Sequence, residues 1–285
     1  MTPSERRLAA ALSRRGLELR RMIQLPGHGH VRTFRLELSR GRQAKMRVYP
    51  TGRAAARVEQ CLLAPVGLTL PRPLARVGRR LVVEYVAGTT LERQLTGRAS
   101  ATSRWAAATG RLLARLHGTR VPAVRASPLG VYTRLMTLTL SRLVERGALG
   151  RTAADALRAL PPPAQQRLAI THGDACPENL VVTRAGRLRA IDEERVAVRP
   201  VGFDLARTIC RWPLPPDEER RLLRAYRRAG GAAAGFAEAR GFWLASALTS
   251  SAAYRLRHRP GAIRPVAAML ARLATAGSPI PPRRR

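Results

Sequence analysis

The sequence predicts an α+β fold of two lobes, a small mixed β-sheet part followed by a larger, mainly helical part. Two observations predict it. Apolar and polar residues alternate across residues 31–38 and 44–49, on either side of the turn Ser39-Arg40-Gly41-Arg42, which is the two-residue period of a hairpin. From Thr90 onward the apolar residues recur at helical spacing instead, as in the Trp105, Ala108, Leu112, Leu113 and Leu116 face of residues 103–117.

Element by element, residues 5–22 carry Leu8, Ala11, Leu12 and Leu19 at roughly helical intervals and are predicted as one amphipathic helix. After the hairpin, Pro50-Thr51-Gly52 ends the sheet run and residues 54–63 read as a helix. Two further strands are expected at 71–77 and 81–86, separated by Gly78-Arg79-Arg80. Tyr85 to Thr90 is the expected hinge, dividing residues 1–87 from 88–285. Short strand-like segments at 168–171, 180–183 and 188–191 then break the helical run, which resumes at 217–229, 235–255 and 262–275. Trp212 and Trp243 are expected in the core.

Bulk properties exclude several classes. The 285 residues, 45% of them hydrophobic, are enough to fill real cores, and Arg or Pro interrupts every stretch that approaches membrane-spanning length. The first residues lack a continuous apolar segment with a cleavage site, so a secretory signal is not expected and a cytoplasmic location is. Cys61, Cys176 and Cys210 are odd in number and widely separated, which fits neither a disulfide framework nor a paired-cysteine zinc site. The net charge of +34 is unusual, yet of 52 basic residues only Lys45 is lysine, and the arginines are spread along the chain among Ala, Gly, Pro and Leu, a GC-rich coding signature. With aromatics at 4% and no basic run interleaved with them, a nucleic-acid partner is not expected.

The chemistry concentrates in Ile170-Thr-His-Gly-Asp-Ala-Cys-Pro-Glu-Asn-Leu-Val-Val182, which reads as strand, polar loop and strand. Phosphoryl transfer from ATP needs a carboxylate that orients the attacking hydroxyl and accepts its proton, and oxygen ligands that hold magnesium against the phosphates. Asp174 suits the first task. Asn179 and, after another short strand pair, Asp192 suit the second.

These residues resemble the hallmark of the aminoglycoside phosphotransferase and choline kinase family: His172-Gly-Asp-Ala-Cys-Pro-Glu-Asn179, then Ile191-Asp192, then Gly202-Phe-Asp204-Leu-Ala206. The ordered set carries the resemblance, which covers roughly residues 23–255; His-Gly-Asp alone would be weak. It implies a bilobal protein-kinase-like fold using ATP and Mg²⁺, with residues 1–87 as the nucleotide-binding lobe and 88–285 as the catalytic and substrate lobe. Asp174 becomes the catalytic base, and Asn179 and Asp192 the metal ligands. His172 is assigned a supporting role and Asp204 a hydrogen bond to the catalytic loop backbone. Arg47 aligns with the phosphate-binding position, while Lys45, two residues away on the same strand face, is the alternative. Glu59 is the expected ion-pair partner of that basic residue. Glu84 and Val86 are expected to meet adenine through main-chain groups, and Gly27 and Gly29 to lie in the nucleotide-covering loop.

Departures from the family pattern are also informative. Glu193 and Glu194 follow Asp192 where an aromatic or glycine continuation is usual, and are expected to add a metal ligand or contact a polar substrate. The expected acceptor is a hydroxyl of a small molecule: a sugar, an amino-alcohol or an aminoglycoside-like compound. Only 18 acidic residues exist, and beyond Leu214 the available carboxylates are Asp217, Glu218, Glu219 and Glu238, so a sugar or anionic acceptor is at least as compatible as a polycationic aminoglycoside. The alternative is a non-catalytic kinase-like module that binds nucleotide or an acidic partner through its positive surface.

Overall fold

The structure, a computed structural model, describes residues 2–26, 31–64, 69–96, 101–123, 126–212 and 214–276. In chain order the elements are α1 (Pro3–Ser13), β1 (Leu19–Gln24), β2 (Arg32–Leu38), β3 (Gln43–Val48), α2 (Gly52–Leu63), β4 (Pro73–Val77), β5 (Arg80–Glu84), β6 (Thr89–Thr90), α3 (Leu91–Leu95) and α4 (Ala101–His117). They continue with α5 (Leu129–Glu145), α6 (Arg151–Arg158), β7 (Leu168–Thr171), β8 (Leu180–Val182), β9 (Leu188–Ala190), β10 (Ala197–Pro200), α7 (Val201–Arg211), α8 (Pro216–Arg228), α9 (Ala234–Glu238), α10 (Arg240–His258) and α11 (Arg264–Ala276). By contacts the chain forms two compact units. One comprises Met1–Arg125, Ala169–Val198 and Pro215–Gly231, the other Ala126–Leu168, Arg199–Leu214 and Ala232–Arg285.

The first unit is organised by an antiparallel sheet of order β1-β2-β3-β5-β4. The predicted hairpin is present, with Phe34 opposite Met46 and Arg35 opposite Lys45. Alternation along β3 sorts its residues. Ala44, Met46 and Val48 join Leu8 and Leu12 of α1, Leu36, Leu38 and Val82 in one buried cluster, which leaves Lys45 and Arg47 on the opposite face. The predicted helix over 5–22 is shorter than expected. Thr2 and Glu5 form a reciprocal cap at its start, and after Ser13 the Leu17 amide bonds back to the Leu12 carbonyl, turning the chain so that residues 19–24 pair with β2 as an edge strand. The sheet's need for a partner at β2 overrides the weak helical spacing of Leu19.

Two further features hold this unit together. At the end of β5 the Glu84 carboxylate receives both arms of Arg189 on β9, at 2.9 and 3.1 Å, while Arg189 Nη2 also donates to the Leu70 carbonyl at 2.6 Å. The Arg72 amide donates to Glu84 as well, at 3.3 Å. Burial by itself would push the Glu84 carboxyl up, but the Arg189 hydrogen bonds and charge, with Arg72, hold it below the ordinary glutamate value. Elsewhere α4 lies against α8 so closely that a Cβ at Gly110 would overlap the Leu222 carbonyl, and His117 Nδ1 pairs with the Tyr226 hydroxyl at 2.9 Å across the same contact.

In the second unit α10 is the central helix. Phe242 and Trp243 are nearly inaccessible on it, Trp243 stacking edge-on against Tyr132 of α5 and against Phe242. Trp212 is buried too, so both tryptophans lie in cores as expected. The Tyr132 hydroxyl is pushed up to about 12 by burial. None of the three cysteines forms a disulfide, and no described helix is long and apolar enough to cross a membrane.

Two outcomes follow for stability. Gly110→Ala forces α4 and α8 apart, and although alanine is the better helix former, overpacking wins, with an expected net loss of about 2 kcal/mol in urea denaturation. Because the Glu84 carboxyl is held low, its contribution is present at neutral pH and is lost as pH falls through the folded value. Glu84→Gln should therefore cost about 1 kcal/mol at pH 7, the pair being partly solvent-screened, and the gap from wild type should close as denaturation is repeated toward pH 3.5.

Candidate active site

The His172–Asn179 loop joins β7 to β8, and main-chain hydrogen bonds define its shape. Gly173 takes the left-handed region, φ 78°, which a side chain would resist. His172 has no solvent exposure and is used at both ring nitrogens: Nε2 donates to the Ile191 carbonyl at 2.8 Å, and Nδ1 accepts from the Asp174 amide at 3.3 Å. That assignment fixes its tautomer. The Ile191 amide in turn donates to the Asn179 carbonyl at 2.8 Å. Both main-chain groups of Ile191 are thus held by the loop, so the residue after it, Asp192, is placed by the same bonds that shape the loop.

Asn179 turns back toward Asp174. Its Nδ2 donates to the Asp174 carbonyl at 3.0 Å and approaches Asp174 Oδ2 at 3.5 Å, which leaves the amide oxygen out of that contact. Asp192 sits at φ 73° and ψ 54°, a left-handed conformation costing about 1 kcal/mol in a side-chain-bearing residue, though Asp tolerates it better than most. Strain of this kind persists where surrounding bonds over-determine it. Here those bonds are the Ile191 pair and the ion pairs of the Asp192 carboxylate itself.

The ion pairs come from β3. Lys45 Nζ lies 3.4 Å from Asp192 Oδ1 and 3.3 Å from Glu193 Oε2. Arg47 divides its guanidinium among three carboxylates: Nη2 meets Asp192, Nη1 meets Glu194 at 2.5 Å, and Nε lies 3.3 Å from Glu193 Oε1. The last contact lacks hydrogen-bond alignment, and both of its buried atoms are without a directed partner. Burial lowers the pKa of the Lys45 ammonium, Glu193 opposes this and Arg47 adds to it, leaving a net downward shift. Burial alone would raise Glu193, but Lys45 and Arg47 reverse the direction and keep it an anion.

The structure therefore gathers Lys45, Arg47 and Asp192 into one cluster, with Asp174 and Asn179 paired on the loop that carries it. Glu59 does not join them. It pairs with Arg76 of β4 at 2.5 Å, because the α2 face that carries it packs over that strand. Glu193 and Glu194 turn onto the β3 cations, since Asp192's left-handed backbone starts the tight turn Glu193–Arg195 at that point. The Glu84 amide is bonded to the Arg72 carbonyl at 2.9 Å, and Val86 lies in the extended segment after β5. Gly27 and Gly29, with His28 and His30, lie outside the described residues. Sequence reasoning missed Arg189; alternation in Leu188-Arg189-Ala190, an arginine between two buried apolar residues, was the available signal.

Arg195 Nε adds a third cation to the cluster, 3.8 Å from Glu194, and Asp192 and Asn179 offer oxygen donors, which suit a hard divalent ion. Among the described residues no three His, Cys, Asp or Glu side chains make a metal cage by themselves. A cavity of about 390 Å³ in the second unit, lined by Gln166, Gly202, Phe236 and Trp243, contains no residue of this loop, so chemistry rather than concavity locates the site.

The profile of the phosphotransferase enzyme family matches residues 22–242. Among solved structures the chain is similar to aminoglycoside 2'-phosphotransferase-IIIa in its GDP complex (TM-score 0.66, 14% identity, 96% of this chain and 99% of that one). It is similar also to a macrolide 2'-phosphotransferase type I (0.65, 15%, 95% and 97%) and to a putative fructosamine-3-kinase from Thermobifida fusca (0.62, 19%, 94% and 98%). No curated protein sequence matches significantly. With the family model matching more than three quarters of it, this chain belongs to the phosphotransferase enzyme family, that of the aminoglycoside phosphotransferases and the choline and ethanolamine kinases, and has their protein-kinase-like fold.

Proposed function

We propose that the protein is an ATP- and Mg²⁺-dependent phosphotransferase that phosphorylates a hydroxyl of a small molecule. What supports this reading is the set of hydrogen bonds that ties Asn179 to Asp174 and the His172 ring to the Ile191 carbonyl, one residue before Asp192, with a β3 lysine on the Asp192 carboxylate. In this reading Asp174 orients the acceptor hydroxyl and takes its proton as the oxygen attacks the γ-phosphorus, and the bond to the β-phosphate oxygen breaks to release ADP. Asp192 and the Asn179 amide oxygen are the residues that would hold magnesium. When bound, the ion supplies charge stabilisation on the phosphate oxygens.

Between the two β3 cations, the contacts favour Lys45 as the phosphate ligand. Its three donors meet two acceptors at 3.3 and 3.4 Å, so it can turn toward phosphate. Arg47 has each guanidinium nitrogen against its own carboxylate and is only 7% exposed, which suits an anchor better than a mobile ligand. Glu84 and Val86, at the end of β5 and just beyond it, remain the proposed adenine contacts, through the Glu84 carbonyl and the Val86 main chain. The acceptor is better read as neutral or anionic than polycationic. On α8, Asp217 pairs with Arg220 and Glu218 with Arg221, and Glu238 accepts from the Ala164 amide, so the carboxylates a polycation would seek are already engaged.

Two measurements test this. Asp174→Ala, with unchanged circular dichroism, should lower acceptor-dependent ATP consumption about 10³-fold across a panel of hydroxyl acceptors; turnover near wild type would remove Asp174 from the chemistry. Asp192→Asn, or chelation of magnesium from the wild type, should weaken binding of a non-hydrolysable ATP analogue about tenfold or more, as read by calorimetry, whereas metal-independent binding without turnover would favour the non-catalytic module.

A further inference from the structure

Buried charges are tolerated in a folded chain only when they are paired, and Glu193 is a side chain with no solvent exposure. Each of its oxygens meets a different β3 cation: Oε2 lies 3.3 Å from Lys45 Nζ and Oε1 lies 3.3 Å from Arg47 Nε. The nearest helical candidate for that duty, Glu59 on α2, is committed to Arg76. Glu193 is also covalently adjacent to Asp192, and the left-handed backbone at Asp192 turns the two consecutive carboxylates onto the same pair of cations.

We infer that Glu193 is the positioning residue for Lys45 and Arg47, replacing a glutamate on α2. The inference rests on the reading of Lys45 as phosphate ligand. Its consequence is mechanical. The phosphate-side cation and the metal-side carboxylate are set by one tripeptide, Asp192-Glu193-Glu194, so the placement of Lys45 follows the β8–β9 hairpin and its Ile191 bonds rather than the placement of α2. Arg47, anchored on all three acids, fixes the distance between the strand and that tripeptide.

Two readouts test the inference. In the first, a non-hydrolysable ATP analogue is titrated with magnesium into folded variants. Glu193→Gln should weaken binding about tenfold or more, Glu193→Asp should recover part of the loss, and Glu59→Gln should bind within about twofold of wild type. In the second, urea midpoints of a double-mutant cycle are compared, which needs no nucleotide. Lys45→Met should be non-additive with Glu193→Gln and additive with Glu59→Gln. Should Glu193→Gln fail to fold, Glu193→Asp, which withdraws the charge by one methylene, carries both comparisons. The reverse pattern, with Glu59 coupled to Lys45 and Glu193 silent toward nucleotide, overturns the inference while leaving the phosphotransferase reading standing. A wild-type protein that binds no nucleotide removes the phosphotransferase reading, and the positioning role falls with it, whatever the midpoints show.

Discussion

Two cations placed side by side under a sheet impose a demand that the rest of the site answers. Lys45 and Arg47 lie on the face of β3 opposite the apolar cluster, and neither can be taken out of water without a partner. The chain answers with three consecutive carboxylates, Asp192, Glu193 and Glu194, delivered by a hairpin more than a hundred residues away in sequence. Mutual attraction at this depth offsets desolvation only if the geometry is tight, and the geometry is set by the left-handed turn at Asp192. The strain of that turn is the local cost of bringing successive acids onto one pair of bases.

Beneath the charges lies a second layer made of neutral hydrogen bonds. The Ile191 carbonyl on His172 and the Ile191 amide on Asn179 bind the loop to the hairpin without using any charged group. This division of labour suits the nucleotide-binding role proposed for the site. Ion pairs can be exchanged when new charges arrive, while the backbone bonds keep Asp174, Asn179 and Asp192 in register. Arg189, gripping Glu84 and the Leu70 carbonyl, does the equivalent work at the end of β5, where the proposed adenine contacts begin.

A chain carrying +34 concentrates three of its few acids at one point, where Asp192, Glu193 and Glu194 are met by Lys45, Arg47 and Arg195. Long-range attraction from an arginine-rich surface favours the approach of an anion, such as the nucleotide of the proposed function.

Much of this was legible in the residues themselves. The hairpin at β2–β3 followed from strict alternation, the three short strands around the loop from their apolar runs, and the proposed chemical members of the loop were chosen by ordered spacing, because local periodicity and motif order survive without three-dimensional context. That Lys45 and Arg47 share a face also followed from the period of two. What the tertiary structure decided was partnership. Nothing in the local pattern selects Glu193 over Glu59 as the counter-ion of β3, and sequence distance favours Glu59, on the next helix. Only the packing of α2 over Arg76 and the turn at Asp192 chose between them. The edge strand β1 was hidden for the same reason, because its conformation comes from hydrogen bonds to β2 rather than from the pattern of its own side chains.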